Sequence, residues 1–260
     1  MDASKWDKHA GDYQRVFKAG ISDYNRRLIK FLLNSGMLYP GCKVLDVGCG
    51  VGKYGTYFAA LGCEVTLMDI SPEMLRRAEE NMQAFSTPWH TVQGDFNSVS
   101  PGEDAFAGGF DLSMSTMSPA IHDLVTVKKL SAMTHGWCLV TNFVSWRQPI
   151  RDSFYRALGY DPVESMAGGV GSIGELEKAV RLAGYEPHLR YESYDWLDER
   201  SPVEAAEYLI RRHPAMDEND SELLKRATAS AAGLCDGRGV FRDEVNTQVA
   251  WLSWKTTKED

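Results

Sequence analysis

The 260-residue chain is short of basic residues: 28 lysines and arginines stand against 36 aspartates and glutamates, a formal net charge of -8. Nucleic-acid binding draws on clustered cations that neutralise phosphates, and this composition argues against such a partner. The basic cluster "RRHPAM" is too short to reverse that reading. No apolar run approaches the ~20 residues that a membrane-spanning helix needs. The opening "MDASKWDKHAGDY" is polar and charged, which excludes a secretory signal there. Five cysteines, Cys42, Cys49, Cys63, Cys138 and Cys235, form no CxxC pair and show no zinc-like spacing with histidine. No metal site is expected, and an odd number of cysteines favours free thiols in the cytoplasm.

What the chain does have is material for a core. At 43% hydrophobic and 25% charged residues, it suits one large globular domain, or a core with an added cap. Residues 1–35 read as helices, with Trp6, Ala10, Tyr13, Val16 and Phe17 recurring at three- and four-residue steps. Beyond them, strand-like runs alternate with helical ones. "KVLDVG", "EVTLMD", "WHTVQGD", "FDLSMST" and "GWCLVTNFV" read as five strands, and "HLRYESYDW" and "EVNTQVAWLSWKT" as two more. "SPEMLRRAEENMQAF" is a well-signalled helix, with Ser71 to cap it and Pro72 in its first position. The alternation predicts an α/β fold, a mostly parallel sheet with helices on both faces. Ligands of such sheets bind at the carboxyl ends of the strands.

One stretch, "KVLDVGCGVGKYG", carries the chemistry. Gly48, Gly50 and Gly52 form a loop between a strand and a helix, the arrangement of an anion or nucleotide site. Cys49 sits inside it, where a small side chain is needed. Asp46 stands just before the glycines. A phosphate cradle has no use for that carboxylate, but a ligand with an amino group or positive charge does. Asp69 ends the second strand, placed to accept the hydroxyls of a ribose. "GDF" ends the third, where Asp95 can accept from an exocyclic amine and Phe96 can lie against a flat base. A ligand with a ribose, an adenine-like base and an amino-bearing end, and no pyrophosphate, fits this set.

In these motifs the chain resembles the class I S-adenosylmethionine-dependent methyltransferases of small-molecule type. The resemblance covers roughly residues 40–145 and extends loosely to "WDKHAGDYQR", which looks like a lid helix. It implies a Rossmann-like seven-stranded sheet with an antiparallel last strand, and S-adenosylmethionine as cofactor. It places Asp46, Gly48, Cys49, Gly50 and Gly52 around the methionine part, and Asp69 on the ribose. Ile70, Asp95 and Phe96 fall on the adenine, and Ser115 and Met117 under the transferred methyl group. Tyr13 matches a lid tyrosine. The implied layout is a single domain: lid helices in 1–35, a cofactor core in 36–145, insertions at 146–172 and 196–242, and a last strand at 243–257. The insertions leave the acceptor open.

Outside the motifs, His122 follows the fourth strand and is a candidate general base, or simply a histidine at a helix start. Trp146, Arg147, Arg151, Phe154 and Tyr155 could line an acceptor pocket, with an arginine for a carboxylate. No cysteine pair is clustered to hold a soft metalloid acceptor. The expected function is methyl transfer to a small molecule, with no nucleic-acid or membrane partner. Two alternatives remain. An NAD(P)-dependent oxidoreductase would also want the glycines, but leaves Asp46 and "GDF" unexplained. A non-catalytic S-adenosylmethionine-binding regulator would keep the same site.

Overall fold

The computed structural model describes residues 2–20, 22–163 and 171–257. In chain order the elements are α1 (Ala3–Asp7), α2 (Ala10–Lys18), α3 (Asp23–Asn34), β1 (Lys43–Val47), α4 (Lys53–Ala60), β2 (Glu64–Asp69), α5 (Pro72–Met82) and β3 (Trp89–Gln93). There follow β4 (Phe110–Thr116), α6 (Leu124–Ala132), β5 (Thr134–Arg147), α7 (Pro149–Ala157), α8 (Ile173–Leu182) and β6 (His188–Ser193). The chain ends with β7 (Trp196–Arg200), α9 (Pro202–Arg212), α10 (Ser221–Gly233) and β8 (Phe241–Lys255). No helix among the described residues is long and apolar enough to cross a membrane.

The sheet has eight strands in the order β3-β2-β1-β4-β5-β8-β6, with β7 paired to β8. The seven expected strands are present. The eighth arises because "HLRYESYDW" does not run through: it breaks at Tyr194 and Asp195, and Trp196 opens a separate strand antiparallel to β8. β1, β2, β3, β4 and β5 pair parallel, with Asp46 level with Leu67 on one side and Met114 on the other. β1 and β2 are almost wholly buried, as expected of a parallel sheet covered on both faces.

The chain divides into two compact units. The first comprises Met1–Asn142, Gly169–Tyr191 and Ala250–Asp260. The second comprises Phe143–Gly168 and Glu192–Val249.

In the first unit, α5 forms as its sequence dictates. The Ser71 hydroxyl accepts from Met74 N–H, Pro72 takes the first turn, and Met74, Ala78 and Met82 face inward. The N-terminal helices pack on α5. Asp7 accepts from the Ser71 hydroxyl and from Glu73 N–H. Gln14 and Asn81 exchange two amide hydrogen bonds of 2.9 and 3.0 Å. The buried side of α2 is therefore Ala10 and Gln14 rather than the expected Tyr13 and Val16, which remain 38% and 50% exposed. A buried polar contact fixes the rotation of this helix, which apolar periodicity alone misplaces by about one residue.

The second unit has its own core. Phe154 and Tyr155 of α7 pack with Ala205, Leu209, Ala227 and Phe241. The Tyr155 hydroxyl donates to Leu209 O at 3.0 Å. These two rings are structural, a correction to their place in the expected acceptor pocket. Asp243 of β8 is wholly buried and accepts from Ile150 N–H at 3.0 Å and Arg151 N–H at 2.7 Å. It caps the amino terminus of α7, whose own N-cap residue, Gln148, makes no side-chain cap.

Removing that carboxylate leaves two buried donors unpaired. Asp243→Ala should cost about 2–3 kcal/mol in denaturant unfolding, and Asp243→Asn, which keeps one acceptor oxygen, about half as much.

Candidate functional site

Sheet topology brings the sequence-predicted residues to one place, the carboxyl ends of β1 to β4. Gly48, Gly50 and Gly52 all have left-handed backbones, with φ of 73°, 56° and 74°. Space imposes glycine as well. A Cβ on Gly48 would overlap the Ser118 hydroxyl, and one on Gly52 would lie 3.0 Å from Ala78 Cβ. At Gly50 the nearest atoms stand off at 3.9 Å (Met74) and 4.0 Å (Tyr13), so conformation rather than crowding selects glycine.

Four of the loop amides, those of Gly48, Cys49, Gly50 and Gly52, are turned to partners within the protein rather than to a ligand. Gly48 N–H and Cys49 N–H both donate to Met68 O, at 2.8 and 3.0 Å, and Gly52 N–H donates to Cys49 O at 3.1 Å. Gly50 N–H donates to Asp69 Oδ2 at 2.8 Å. Asp69 Oδ1 accepts from Ser71 N–H at 2.9 Å. One carboxylate thus joins the loop, the end of β2 and the start of α5. Burial raises the Asp69 pKa, although the amides of Ser71 and Gly50 oppose the rise. Each of its oxygens keeps a lone pair for a further donor.

Asp46 is different. It is 1% exposed, and its Oδ1 has no hydrogen-bond partner. Burial first, and neighbouring Asp69 second, push its pKa up to about 7. A buried unpaired carboxylate is costly unless a donor or cation meets it, so the site is incomplete by itself. A second buried orphan, Thr141 Oγ1, lies midway along β5, in register with Thr116 at the carboxyl end of β4. Sequence reasoning missed it, since a threonine in a strand carries no signal of its own.

The remaining predicted residues fall as follows. Cys49 donates its thiol to Gly50 O at 3.5 Å, and burial pushes its pKa well up, away from a nucleophilic thiolate. Ile70 is half-buried after β2. Asp95 Oδ1 accepts from Asn97 N–H and Asn97 Nδ2, at 2.9 and 2.8 Å. Phe96 is only 2% exposed, and the Lys129 ammonium stands 5.5 Å from its ring centre. The ring is packed from within rather than presented as a free face.

Ser115 is buried and donates to Val47 O at 2.9 Å, tying β4 to the end of β1. Met117 is the one non-glycine among the described residues with positive φ, 52°, and its N–H donates to Thr141 O. Strain of this kind persists only where surrounding structure imposes it, often at functional sites.

Tyr13 reaches the glycine loop from α2. Asn81 donates to Val51 O at 2.9 Å while paired to Gln14, so α2 and the loop are held by one amide. His122 is half-buried between β4 and α6; its N–H donates to Thr126 Oγ1, and Gly171 packs against its backbone. Its Nε2 lies 3.9 Å from Asp123 Oδ2, beyond hydrogen-bond range. Part of the glycine-rich run 165–172 lies outside the described residues.

Two further readings need correction. Arg151 is engaged by Asp152 at 2.8 Å and is not held free for a carboxylate. Cys42 and Cys63, separated in sequence, meet at 3.3 Å between sulfurs because they precede adjacent parallel strands. Sequence spacing hid this pair. It is wholly buried at the amino ends of β1 and β2, away from the glycine loop.

Residues 44–136 match the family model described as a methyltransferase domain. A malonyl-[acyl-carrier protein] O-methyltransferase of Enterobacter lignolyticus is 40% identical over 161 residues, 60% of this chain and 51% of that protein. A ribosomal protein L11 methyltransferase of Thermus thermophilus is 27% identical over 155 residues, 59% of this chain and 58% of that protein. The chain thus spans little more than half the length of these two relatives. Among solved structures, magnesium protoporphyrin IX methyltransferase of Synechocystis with bound S-adenosylhomocysteine aligns with a TM-score of 0.52 at 13% identity. That alignment covers 95% of this chain and 97% of that one. The YcgJ protein of Bacillus subtilis aligns with a TM-score of 0.52 at 15% identity, over 90% and 100% of the two chains. These likenesses concern the fold.

The orphan carboxylate makes a two-sided prediction for Asp46→Asn. A raised folded-state pKa contributes stability below the unfolded value of 3.8 and loses it as pH rises through about 7. At pH 8 the free variant should therefore melt higher than the parent, by the order of a few degrees, and the gap should close in acid. For an amino-bearing ligand such as S-adenosylhomocysteine the sign is opposite. Parent affinity should rise with pH towards about 7 and level off above it. In the variant that dependence should flatten and affinity fall about tenfold or more. Thermal melts and calorimetric titrations over pH check both halves.

Proposed function

We propose that this chain, whose core belongs to the class I S-adenosylmethionine-dependent methyltransferases, transfers a methyl group to a small-molecule acceptor by in-line displacement. One observation carries the reading: Asp46 is buried with an unpartnered oxygen, at a glycine loop four of whose amides are already hydrogen-bonded inside the protein. Such a site suits an amino-bearing or cationic ligand. It suits a pyrophosphate poorly, which weighs against a nicotinamide-dependent oxidoreductase.

The residues present fit S-adenosylmethionine. Asp46 and the loop at Gly48, Cys49, Gly50 and Gly52 would hold its methionine part. Asp69, through its remaining lone pairs, would hold the ribose, and Ile70 and Asp95 would flank the adenine. Phe96 would serve as a wall behind that site, given its burial. The cofactor, when bound, supplies a methyl group already made electrophilic by the sulfonium. The protein's own part is alignment and exclusion of water, effects that can lower a barrier by about 7–11 kcal/mol when geometry is good. Ser115 and Met117 fix the end of β4 through Val47 O and Thr141 O. Tyr13, held by the Gln14–Asn81 pair, shields the loop from α2.

The acceptor does not follow from the relatives. Their names cover a ribosomal protein, a malonyl-acyl carrier protein and botryococcene. A small molecule is favoured by the acidic composition and by a second unit with its own core.

Calorimetric titration with S-adenosylmethionine, S-adenosylhomocysteine and NAD tests the assignment. The two sulfur ligands should bind in the micromolar range, about -8 kcal/mol, and lose that binding in Asp69→Ala. Binding of NAD alone would sink the methyltransferase reading. Ligand binding without turnover of any acceptor class would instead favour a regulatory module. If His122 is the general base, His122→Gln should lower kcat by about a hundredfold or more and leave cofactor affinity intact.

A further inference from the structure

Four aromatic side chains of the second unit close into a ring of contacts. Phe143 and Trp146, at the end of β5, stand 4.7 Å apart between ring centres. Trp146 meets Trp196 of β7 at 5.1 Å, Trp196 meets Tyr194 at 4.9 Å, and Tyr194 lies parallel to Phe143 at 6.4 Å. None of the four is buried; each keeps part of its ring in solvent. The core of this unit, built on Phe154, Tyr155 and Leu209, does not include them. A cluster of that size left half-exposed is an apolar surface that folding has not used.

Trp146 is also one wall of an open pocket of about 290 Å³, lined further by Arg147, Gln148, Asp152, Ser153 and Arg156. The volume suits a small ligand. Its charges are uneven. Asp152 is engaged by Arg151 at 2.8 Å. Among the described residues, the Arg147 and Arg156 guanidiniums have no hydrogen bond, ion pair or ring contact. Most other arginines of the second unit are engaged. Arg200 pairs with Asp198 and covers Tyr208, Arg212 lies near the same ring, and Arg238 and Arg242 lie within ion-pair range of Glu199. In a chain with a net charge of -8, two unengaged guanidiniums beside an exposed indole form a local anion site.

We propose that Arg147, Arg156 and the Phe143–Trp146–Tyr194–Trp196 quartet bind a flat organic anion, an aromatic ring bearing a carboxylate. The rings take the planar part by stacking, and the guanidiniums take the carboxylate. The site stands within the second unit alone and does not depend on the methyltransferase reading.

The test titrates the full chain with four probes: indole-3-acetate, its neutral amide, the cation tryptamine, and acetate. Tryptophan fluorescence and calorimetry provide the readouts. Indole-3-acetate should bind at least about tenfold tighter than the amide and tryptamine, and acetate should not compete with it. Arg147→Gln with Arg156→Gln, both exposed positions, should erase that preference while leaving the melting curve unchanged. Trp196→Leu should weaken indole-3-acetate and leave its charge preference intact.

Tryptamine binding as tightly as the acid, affinity unmoved in the double variant, or no binding by any ring-bearing probe would each overturn the proposal. S-adenosylhomocysteine titrated into the same samples separates the two readings. Its binding without that of the acid leaves the cofactor assignment standing and removes the anion site. The reverse pattern keeps the site and removes the methyltransferase reading.

Discussion

Two carboxylates at the carboxyl ends of adjacent parallel strands constrain everything around them. Asp69 accepts from Gly50 N–H and Ser71 N–H, and so fixes the glycine loop and the start of α5 together. Asp46, one strand over, is left with an oxygen that nothing in the protein satisfies. Both have raised pKa values, chiefly from burial, and the Asp69 charge adds to the rise at Asp46. The loop's left-handed turns and the crowding of Gly48 on Ser118 go with folding the chain tightly around this pair, while the Gln14–Asn81 contact seats α2 over α5. Stability would be better served by a neutral residue at position 46. Its retention as an acid makes sense only if a ligand completes the site.

The cofactor core was legible because its signals are local. A strand, three glycines, an acid before them and an acid at the next strand end lie within 27 residues, and the parallel sheet brings such ends together whatever fills the rest. Ser71 and Pro72 announced α5 for the same reason. What could not be read depends on partners distant in sequence. Gln14 turns inward because Asn81 meets it, 67 residues away. Asp243 caps α7 across 92 and 93 residues, which moved Phe154 and Tyr155 from an imagined pocket into the core. Cys42 and Cys63 meet only because their strands are neighbours. The loop amides could not be foreseen as internally bonded, because the backbone carries no residue-specific mark of where its hydrogen bonds go.

The two units differ in the charge they leave unsatisfied. In the first it is negative: Asp46 waits for a donor or cation. In the second it is positive: Arg147 and Arg156 have no acid partner among the described residues, while Arg151, Arg200 and Arg238 do. A cationic and an anionic ligand would thus be sorted by sign. Each is attracted where it belongs and penalised where it does not, and like-charge placement contributes to discrimination as much as attraction does. The overall acidity of the chain sharpens the contrast, since an organic anion gains little from the surface at large and must find its affinity in a local cluster. Arginine suits that cluster better than lysine, because its planar fork can pair a carboxylate while its face lies along an indole. The two charge patterns are fixed by folding, which is consistent with a chemistry in which the electrophile is supplied ready-made and the protein's work is placement.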